Sequence, residues 1–520
     1  MQCNKQNRKW ADFCSIIVYN SRSWTAAEAT SSMGQTAALG EVQDGTIFPV
    51  KQQDGTVIHY FCDYSEFLGE GSSGDIYKAY PCILKDNRVI DTACKMNRAA
   101  VQLDSQHPVA IKIYKNDHSP SPYRLKQNSI LLTINDRLIL IMPYIEGFSI
   151  KPELNENVEI RTMSFFQAVD LAWQLIISLN QLHYNNSSGP PTVHGDISGD
   201  NIRIRCINGK YEAHLIDDDF NKLILPTSQI AQGTPEHLAV EVLDGFYSEA
   251  SDFYALTPIL YSLFGAFNPF KNILKFRESH RSLPGNDLIR FYNRIGFCGE
   301  GLFGHFEPKP QQYIAQMLSS FLKQMSAEQK DKRPSPEAIL EFFTALRQYC
   351  LFASVLESTA IHQIRMAIAS QDLNWMNNSN LRALFFNLDD NVQHRLIQLM
   401  WPKACRQLIL LSSANERIPE LVLKKALIDV LRQLTLSETA GWPFLFRQNL
   451  PHQELKWLLY CFEEHRDDFF SSKGRQFIKT LENLKQPDLK PIIVAVIARL
   501  KEGQPIQYET KNVASLAAVS

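Results

Sequence analysis

Apolar residues follow two different rhythms along this chain. From Val57 onward they alternate as in strands: Val57-Ile58-His59-Tyr60-Phe61, then Phe67-Leu68, then Asp75-Ile76-Tyr77-Lys78-Ala79-Tyr80. Val109-Ala110-Ile111-Lys112-Ile113-Tyr114 alternates again, and 129–134 and 137–142 read as a hairpin turning at Asn135-Asp136. Between these strands Val89, Ala93, Met96, Ala100 and Leu103 recur at four-three-four-three spacing, which predicts a helix over 88–104. The stretch 117–122 after Lys112 is rich in turn residues. Helical spacing then takes over at Phe165, Val169, Ala172, Leu175, Leu179 and Leu182, with Ser164 as a predicted N-cap. A second predicted hairpin, 202–205 and 213–216, turns at Asn208-Gly209.

Beyond residue 350 the texture is helical throughout, with helices predicted over 355–369, 381–388, 392–400, 421–436, 455–462, 477–484 and 492–500. Residues 20–45 are rich in Ser, Thr, Ala and Gly and read as a mobile extension or a poorly packed helix, and the tail 513–520 is small and apolar. The expected class is α+β: an extension over 1–56, a β-rich lobe over 57–146, a helical lobe over 147–349 and an all-α domain over 350–520.

Composition adds exclusions. With 520 residues the chain is long enough for several domains, and 45% hydrophobic with 21% charged residues is ordinary for a globular protein. A net charge of -2 gives no electrostatic case for nucleic acid. The ten cysteines are scattered, without C-x-x-C or a Cys/His cluster, so reduced thiols are expected rather than a disulfide frame or zinc site. No apolar run reaches the roughly 18 residues a transmembrane helix requires. Lys5, Arg8 and Lys9 precede an apolar stretch that Asp12 interrupts, so no Sec signal peptide is expected.

The candidate chemistry clusters at Thr192-Val193-His194-Gly195-Asp196-Ile197-Ser198-Gly199-Asp200-Asn201. Here a carboxylate and a carboxamide share one loop, and Asp217 waits at the end of the following hairpin. Transfer of a phosphoryl group from ATP calls for this set: one Asp to orient the attacking hydroxyl, and an Asn and an Asp to hold metal between the phosphates. Upstream, Gly69-Glu70-Gly71-Ser72-Ser73-Gly74 lies between two strands rather than between a strand and a helix. That placement suggests a hairpin flap over nucleotide phosphates, not a dinucleotide fold. A second Gly-x-Gly-x-x-Gly at 299–304 has no flanking strand pattern and reads as a loop. Lys112, on the buried face of a strand, requires an anion beside it, and nucleotide phosphates would serve.

Taken together, the order and spacing of these motifs resemble the eukaryotic-type protein kinase family over roughly 57–348. The resemblance implies a bilobal fold, with ATP and Mg2+ (or Mn2+) as cofactors and proteins as acceptors. It implies nucleotide contacts from Leu68, Gly69, Glu70, Gly71, Ser72, Ser73, Gly74, Asp75, Ile76 and Ala110, with Lys112 on the α- and β-phosphates. Met142 falls at the gatekeeper position, with Pro143, Tyr144 and Ile145 as the hinge. Asp196 matches the catalytic base and Asn201 a metal ligand. Asp217 matches the metal-binding Asp of D-F-G, with Asp219 as the rival. Gly233-Thr234-Pro235-Glu236-His237-Leu238-Ala239-Val240-Glu241 resembles the segment that docks a peptide substrate. Thr234 within it implies Ser/Thr acceptors. Glu241 would pair with Arg333, and Asp252 would hold the catalytic loop.

Four departures stand out. Gly195 replaces the Arg of H-R-D, which implies activity without phosphorylation of the activation loop. Ser198 replaces the catalytic-loop Lys, the Gly of D-F-G is missing, and no Glu-bearing αC segment follows Lys112. The helix predicted over 88–104 offers Asp91 or Asp104 as a substitute partner for Lys112, the other reading of that stretch being a surface insertion. A divergent core joined to a helical module resembles the Legionella LegK type IV secretion effector kinases. That likeness implies delivery into the host cell cytoplasm, host proteins as substrates, and a docking partner for the helical domain. Two other readings remain open at this point. One is a small-molecule phosphotransferase of the aminoglycoside or choline kinase type, which shares His-Gly-Asp-x-x-x-x-Asn. The other is a pseudokinase scaffold.

Overall fold

The computed structural model describes residues 44–52, 54–71, 74–115, 129–134, 137–152, 158–184, 192–217, 222–223 and 233–412, together with separate positions in 418–429. The predicted helices beyond 430, the tail, the 117–122 turn and Asn135-Asp136 lie outside them. The chain forms two compact units that divide between Pro336 and Glu337.

The first unit opens with strands β1 (Asp44–Lys51), β2 (Val57–Glu70), β3 (Gly74–Leu84), β4 (Cys94–Asn97), β5 (Val101–Leu103), β6 (Val109–Tyr114), β7 (Ile130–Ile134) and β8 (Arg137–Pro143). They form one sheet in the order β4-β1-β2-β3-β6-β8-β7, with β5 also paired to β3. The sheet therefore starts at Asp44, ahead of the expected Val57. Period-two alternation sorts its side chains onto two faces. Phe48, Val50, Tyr60, Cys62, Ala79, Ile111, Ile139 and Ile141 form one core cluster. On the other face Ile47, Phe61, Cys82, Leu84 and Val101 form a second.

That second cluster explains residues 85–103, and it corrects the helix expected over 88–104. The segment folds as β4, a single 3-10 turn (Arg98–Ala100) and β5. β4 pairs with β1 and β5 with β3. Ile90, Met96 and Leu103 cover the cluster around Phe61. Val89, which the helical stripe would bury, is 65% exposed. The insertion is thus a lid over a sheet face.

The helical lobe follows. Helix α1 (Phe165–Tyr184) buries Ala168, Val169, Ala172, Leu175, Ile176 and Leu179, the stripe predicted by spacing. Ser164 and Gln167 close a reciprocal capping box, Gln167 N donating to Ser164 Oγ at 3.2 Å and Ser164 N to Gln167 Oε1 at 2.8 Å. Strands β9 (Thr192–Val193), β10 (Ile202–Ile207), β11 (Lys210–Leu215) and β12 (Lys222–Leu223) flank the catalytic-loop sequence. β10 and β11 form the predicted hairpin, and β9 pairs with β12. Helix α2 (Glu249–Leu263) is buried on all sides from Ser251 onward. Helices α3 (Lys271–Ser279), α4 (Gly285–Ile295) and α5 (Gln312–Met325) complete the lobe, and residues 299–304 form the expected loop.

The second unit is helical where described: α6 (Pro336–Leu351), α7 (Leu356–Ala369), α8 (Ser379–Phe386), α9 (Asp390–Leu399) and α10 (Pro402–Leu411). Within it Arg365 pairs with Glu341 at 2.5 Å and bonds Gln348 at 2.6 Å. No helix among the described residues is long and apolar enough to cross a membrane.

Candidate active site

Lys112 stands in β6 opposite Ile76 of β3 and Leu140 of β8. It is 1% exposed, so its ammonium must meet an anion. That anion is Asp217, which follows β11 and bonds Lys112 Nζ across 105 positions of sequence. Asp217 has a positive φ of 59° and a side chain 24% exposed, open toward the site. Asp219 lies outside the described residues.

The contact also corrects the expected substitute partners. Asp104 is exposed and accepts from Gln106 N at 3.0 Å and meets His107 Nδ1 at 2.8 Å. Asp91 is exposed in the irregular stretch before β4. Both belong to the lid on the sheet, so neither carboxylate reaches buried Lys112.

The flap is the β2–β3 connection. Gly69 pairs with Ile76 and Glu70 with Asp75, and Gly71 N donates to Gly74 O at 2.8 Å. Ser72 and Ser73 lie outside the described residues. The flap glycines serve different needs. A Cβ on Gly74 would lie 2.5 Å from Ile113 O, so Gly74 permits β3 to approach β6. A Cβ on Gly69 would meet nothing within 4 Å. Lys115 bonds Glu70 Oε1 at 2.8 Å and Gly71 O at 3.1 Å, holding the flap from the end of β6. The side chains of Glu70 and Asp75 therefore face Lys115, with Asp75 at 4.0 Å. At the back of the cleft Ala110 pairs with Met142 and Val109 with Pro143. Tyr144 N donates to Pro108 O at 3.4 Å, and Lys78 Nζ lies 4.6 Å from the centre of the Tyr144 ring. Leu68 lies near the end of β2 beside Gly69, and Ile145 follows Tyr144, half-buried.

The catalytic loop hangs from Asp252 on α2. His194 N donates to Asp252 Oδ2 at 2.7 Å and Gly195 N to Oδ1 at 2.9 Å. His183, from the last turn of α1, meets Asp252 Oδ2 at 2.9 Å. Burial pushes the Asp252 carboxyl upward, but the His183 bond, the His183 and His194 charges and the Gly195 amide outweigh it, so the group lies below the usual carboxylate range. Gly195 has φ 75°, a conformation that costs any other L-residue about 1 kcal/mol or more. This is a local reason for glycine where the family has arginine. Sequence reasoning missed His183. Its position one turn past Leu179 on the buried stripe was the available signal.

Asp196 joins three elements. Asn201 Nδ2 donates to Asp196 O at 2.8 Å and to Oδ2 at 3.3 Å. Thr234 N, from the docking segment, donates to Asp196 Oδ1 at 3.3 Å. Glu241 and Arg333 form the predicted pair, bidentate at 2.6 and 3.1 Å. A small cavity of about 10 Å3 beside Asp196 is lined by Thr234, Leu238, Val242 and Tyr247.

This donor set suits a nucleotide with a divalent ion. Asn201 turns its amide nitrogen to Asp196, leaving its carbonyl oxygen as the group able to serve a cation, and Asp217 adds a carboxylate. Among the described residues there is no cluster of three or more His, Cys, Asp or Glu that could hold a metal alone. A divalent ion held by Asn201 and Asp217 would complete its shell with phosphates and water.

A glycine flap over a buried lysine, facing an Asp–Asn loop and a threonine-bearing docking segment, defines a phosphotransferase site of the protein-kinase kind. The comparisons agree. The protein kinase domain family matches residues 62–343, more than half of the chain, and the chain belongs to that family. It is 23% identical over 254 residues to a serine/threonine-protein kinase WNK of Caenorhabditis elegans, covering 45% of this chain and 12% of that protein. It is 23% identical over 249 residues to serine/threonine-protein kinase PknD of Chlamydia felis (40% and 24%). It is 21% identical over 318 residues to serine/threonine-protein kinase WNK8 of Arabidopsis thaliana (59% and 50%). The chain thus spans half or less of the length of these relatives.

Proposed function

We propose that the chain transfers the γ-phosphoryl group of ATP to serine or threonine hydroxyls of proteins. The observation that carries this is the position of Asp196, bonded on one side to Asn201 and on the other to Thr234 of the docking segment. A small-molecule phosphotransferase has no need of that segment, and a scaffold has no need of the paired Lys112 and Asp217. The Ser/Thr relatives support the choice of acceptor.

In this reading Asp196 orients the acceptor hydroxyl and takes its proton as the oxygen attacks the γ-phosphorus and the bond to the β-phosphate oxygen breaks. Lys112 moves from Asp217 onto the α- and β-phosphates. Asn201 and Asp217 would hold the divalent ion, Mg2+ or Mn2+, which would supply neutralisation of phosphate charge. The flap excludes water, and Met142, Pro143, Tyr144 and Ile145 face the adenine with Ile76 and Ala110. Positioning and fixed charge account for most of the rate. With Gly195 in place of arginine, activity does not depend on a phosphorylated activation segment.

The test is incubation with labelled ATP, Mg2+ and casein. Transfer to casein should fall by about 100-fold or more in Asp196→Asn, the scale of a lost general base. Transfer to small amines alone supports the aminoglycoside or choline kinase reading, and ATP binding without transfer supports the scaffold.

We further propose an effector role, with type IV delivery into the host cytoplasm, host proteins as substrates and the helical unit as a docking module. The likeness of the core and helical module to the LegK kinases supports it. Comparing phosphoproteomes of host cells receiving the wild type or Lys112→Met tests it. Identical phosphosite sets would overturn it.

A further inference from the structure

Leu238 and Ala239 of the docking segment run in extended form between two short 3-10 turns, Pro235–His237 and Val240–Asp244. Backbone groups in such a stretch lack the partners that a helix or sheet supplies. One side chain provides them. Asn293 of α4, buried at 3% exposure, accepts from Val240 N at 3.1 Å and donates to Leu238 O at 2.9 Å and Ile289 O at 3.0 Å. Its carboxamide oxygen and nitrogen are both engaged, and two of its bonds go to the docking segment. Just before it, buried Glu236 pairs with Arg277 of α3. Leu238, Ala239 and Val242 pack with Ile289 of α4 in one core cluster. The segment, already tied to Asp196 through Thr234 N, is therefore pinned at three further points: Glu236 by Arg277, Leu238 to Val240 by Asn293, and Glu241 by Arg333.

We propose that Asn293 and Arg277 are positioning residues for the protein acceptor. They hold 236–240 in the shape that receives the chain flanking the phosphorylated hydroxyl, so acceptor affinity depends on them while nucleotide handling does not. The inference rests on the protein kinase reading above. Neither side chain touches Lys112, Asp196, Asn201 or Asp217 among the bonds that hold it in place.

The experiment compares the full-length wild type with Asn293→Leu, Arg277→Met and the double variant Glu236→Gln/Arg277→Met. Asn293→Leu keeps the volume and removes the bonds. The double variant strands no buried charge, so it carries the test where a single variant fails to fold. The readouts are KM for casein, KM for ATP, ATP hydrolysis without acceptor, and Tm. The expected result is a rise of at least tenfold in KM for casein, with KM for ATP and acceptor-free hydrolysis within twofold of wild type. An unchanged KM for casein in folded variants overturns the proposal. So does a parallel fall in acceptor-free hydrolysis, the mark of a merely structural role. A wild type that binds ATP yet modifies no protein overturns the kinase reading itself and this inference with it.

Discussion

Beneath the catalytic loop and the 233–241 segment charges meet out of water, whereas at the flap they meet in it. Arg333 and Glu241 have side chains 2% and 13% exposed and bond bidentately. Asp252 sits buried beneath the catalytic loop with His183 and two loop amides on it. The flap instead leans on Lys115 and Glu70, whose side chains are 43% and 67% exposed. Buried pairs fix geometry because breaking one strands a charge, while exposed pairs contribute little and exchange readily with solvent. The frame around Asp196 is thus preset, and the flap is held less firmly.

The largest test of this contrast is Arg333→Met. It leaves Glu241 uncompensated and should destabilise the protein by about 3–5 kcal/mol, lowering Tm by on the order of 10 °C in a melting experiment. An unchanged Tm would break the comparison at once. Acid should reveal the same frame. His237 is buried against Ala255 O at 2.8 Å, and desolvation holds its pKa down to about 4. The neutral ring contributes its full stability above the unfolded value near 6.5 and loses it as pH falls from there toward about 4. Stability measured across that window should decline less steeply in His237→Phe than in the wild type.

The flap glycines offer a smaller and more local test. Gly74→Ala drives a methyl group into Ile113 O and should cost about 1–3 kcal/mol in denaturant unfolding. Gly69→Ala enters open space and should change stability by less than about 0.5 kcal/mol. Lys115→Met should have the smallest effect, below about 1 kcal/mol in stability, with a few-fold rise in KM for ATP as the flap loses its tether. A loss of stability as large as that from Arg333 would show that the two sides are built alike.

Much of this arrangement was legible in the sequence because its pieces are local. The β6 strand shows as an alternation with one lysine in it, and α1 shows as a stripe with Ser164 as its cap. The docking segment and Arg333 were readable as motifs, and the ion pair between them is observed. The lid at 85–103 was not legible. Its strands pair with β1 and β3, partners far along the chain, and a 3-10 turn between short strands gave Met96, Ala100 and Leu103 helical spacing. Once the lid proved to be strand, Asp91 and Asp104 lost any route to Lys112. The Lys112–Asp217 contact spans 105 positions, and no local periodicity encodes it. Asn293 was equally silent, since an asparagine within a helix gives no sign that its amide serves another segment's backbone.

The carboxylate of Asp252 has one more consequence. The amide hydrogens of His194 and Gly195 belong to a loop, yet they point into a buried anion rather than toward solvent. Deuterium should replace them about as slowly as it replaces those of the α2 interior. The slowest-breathing part of this loop would then be the two residues immediately before Asp196, with motion confined to the chain on either side.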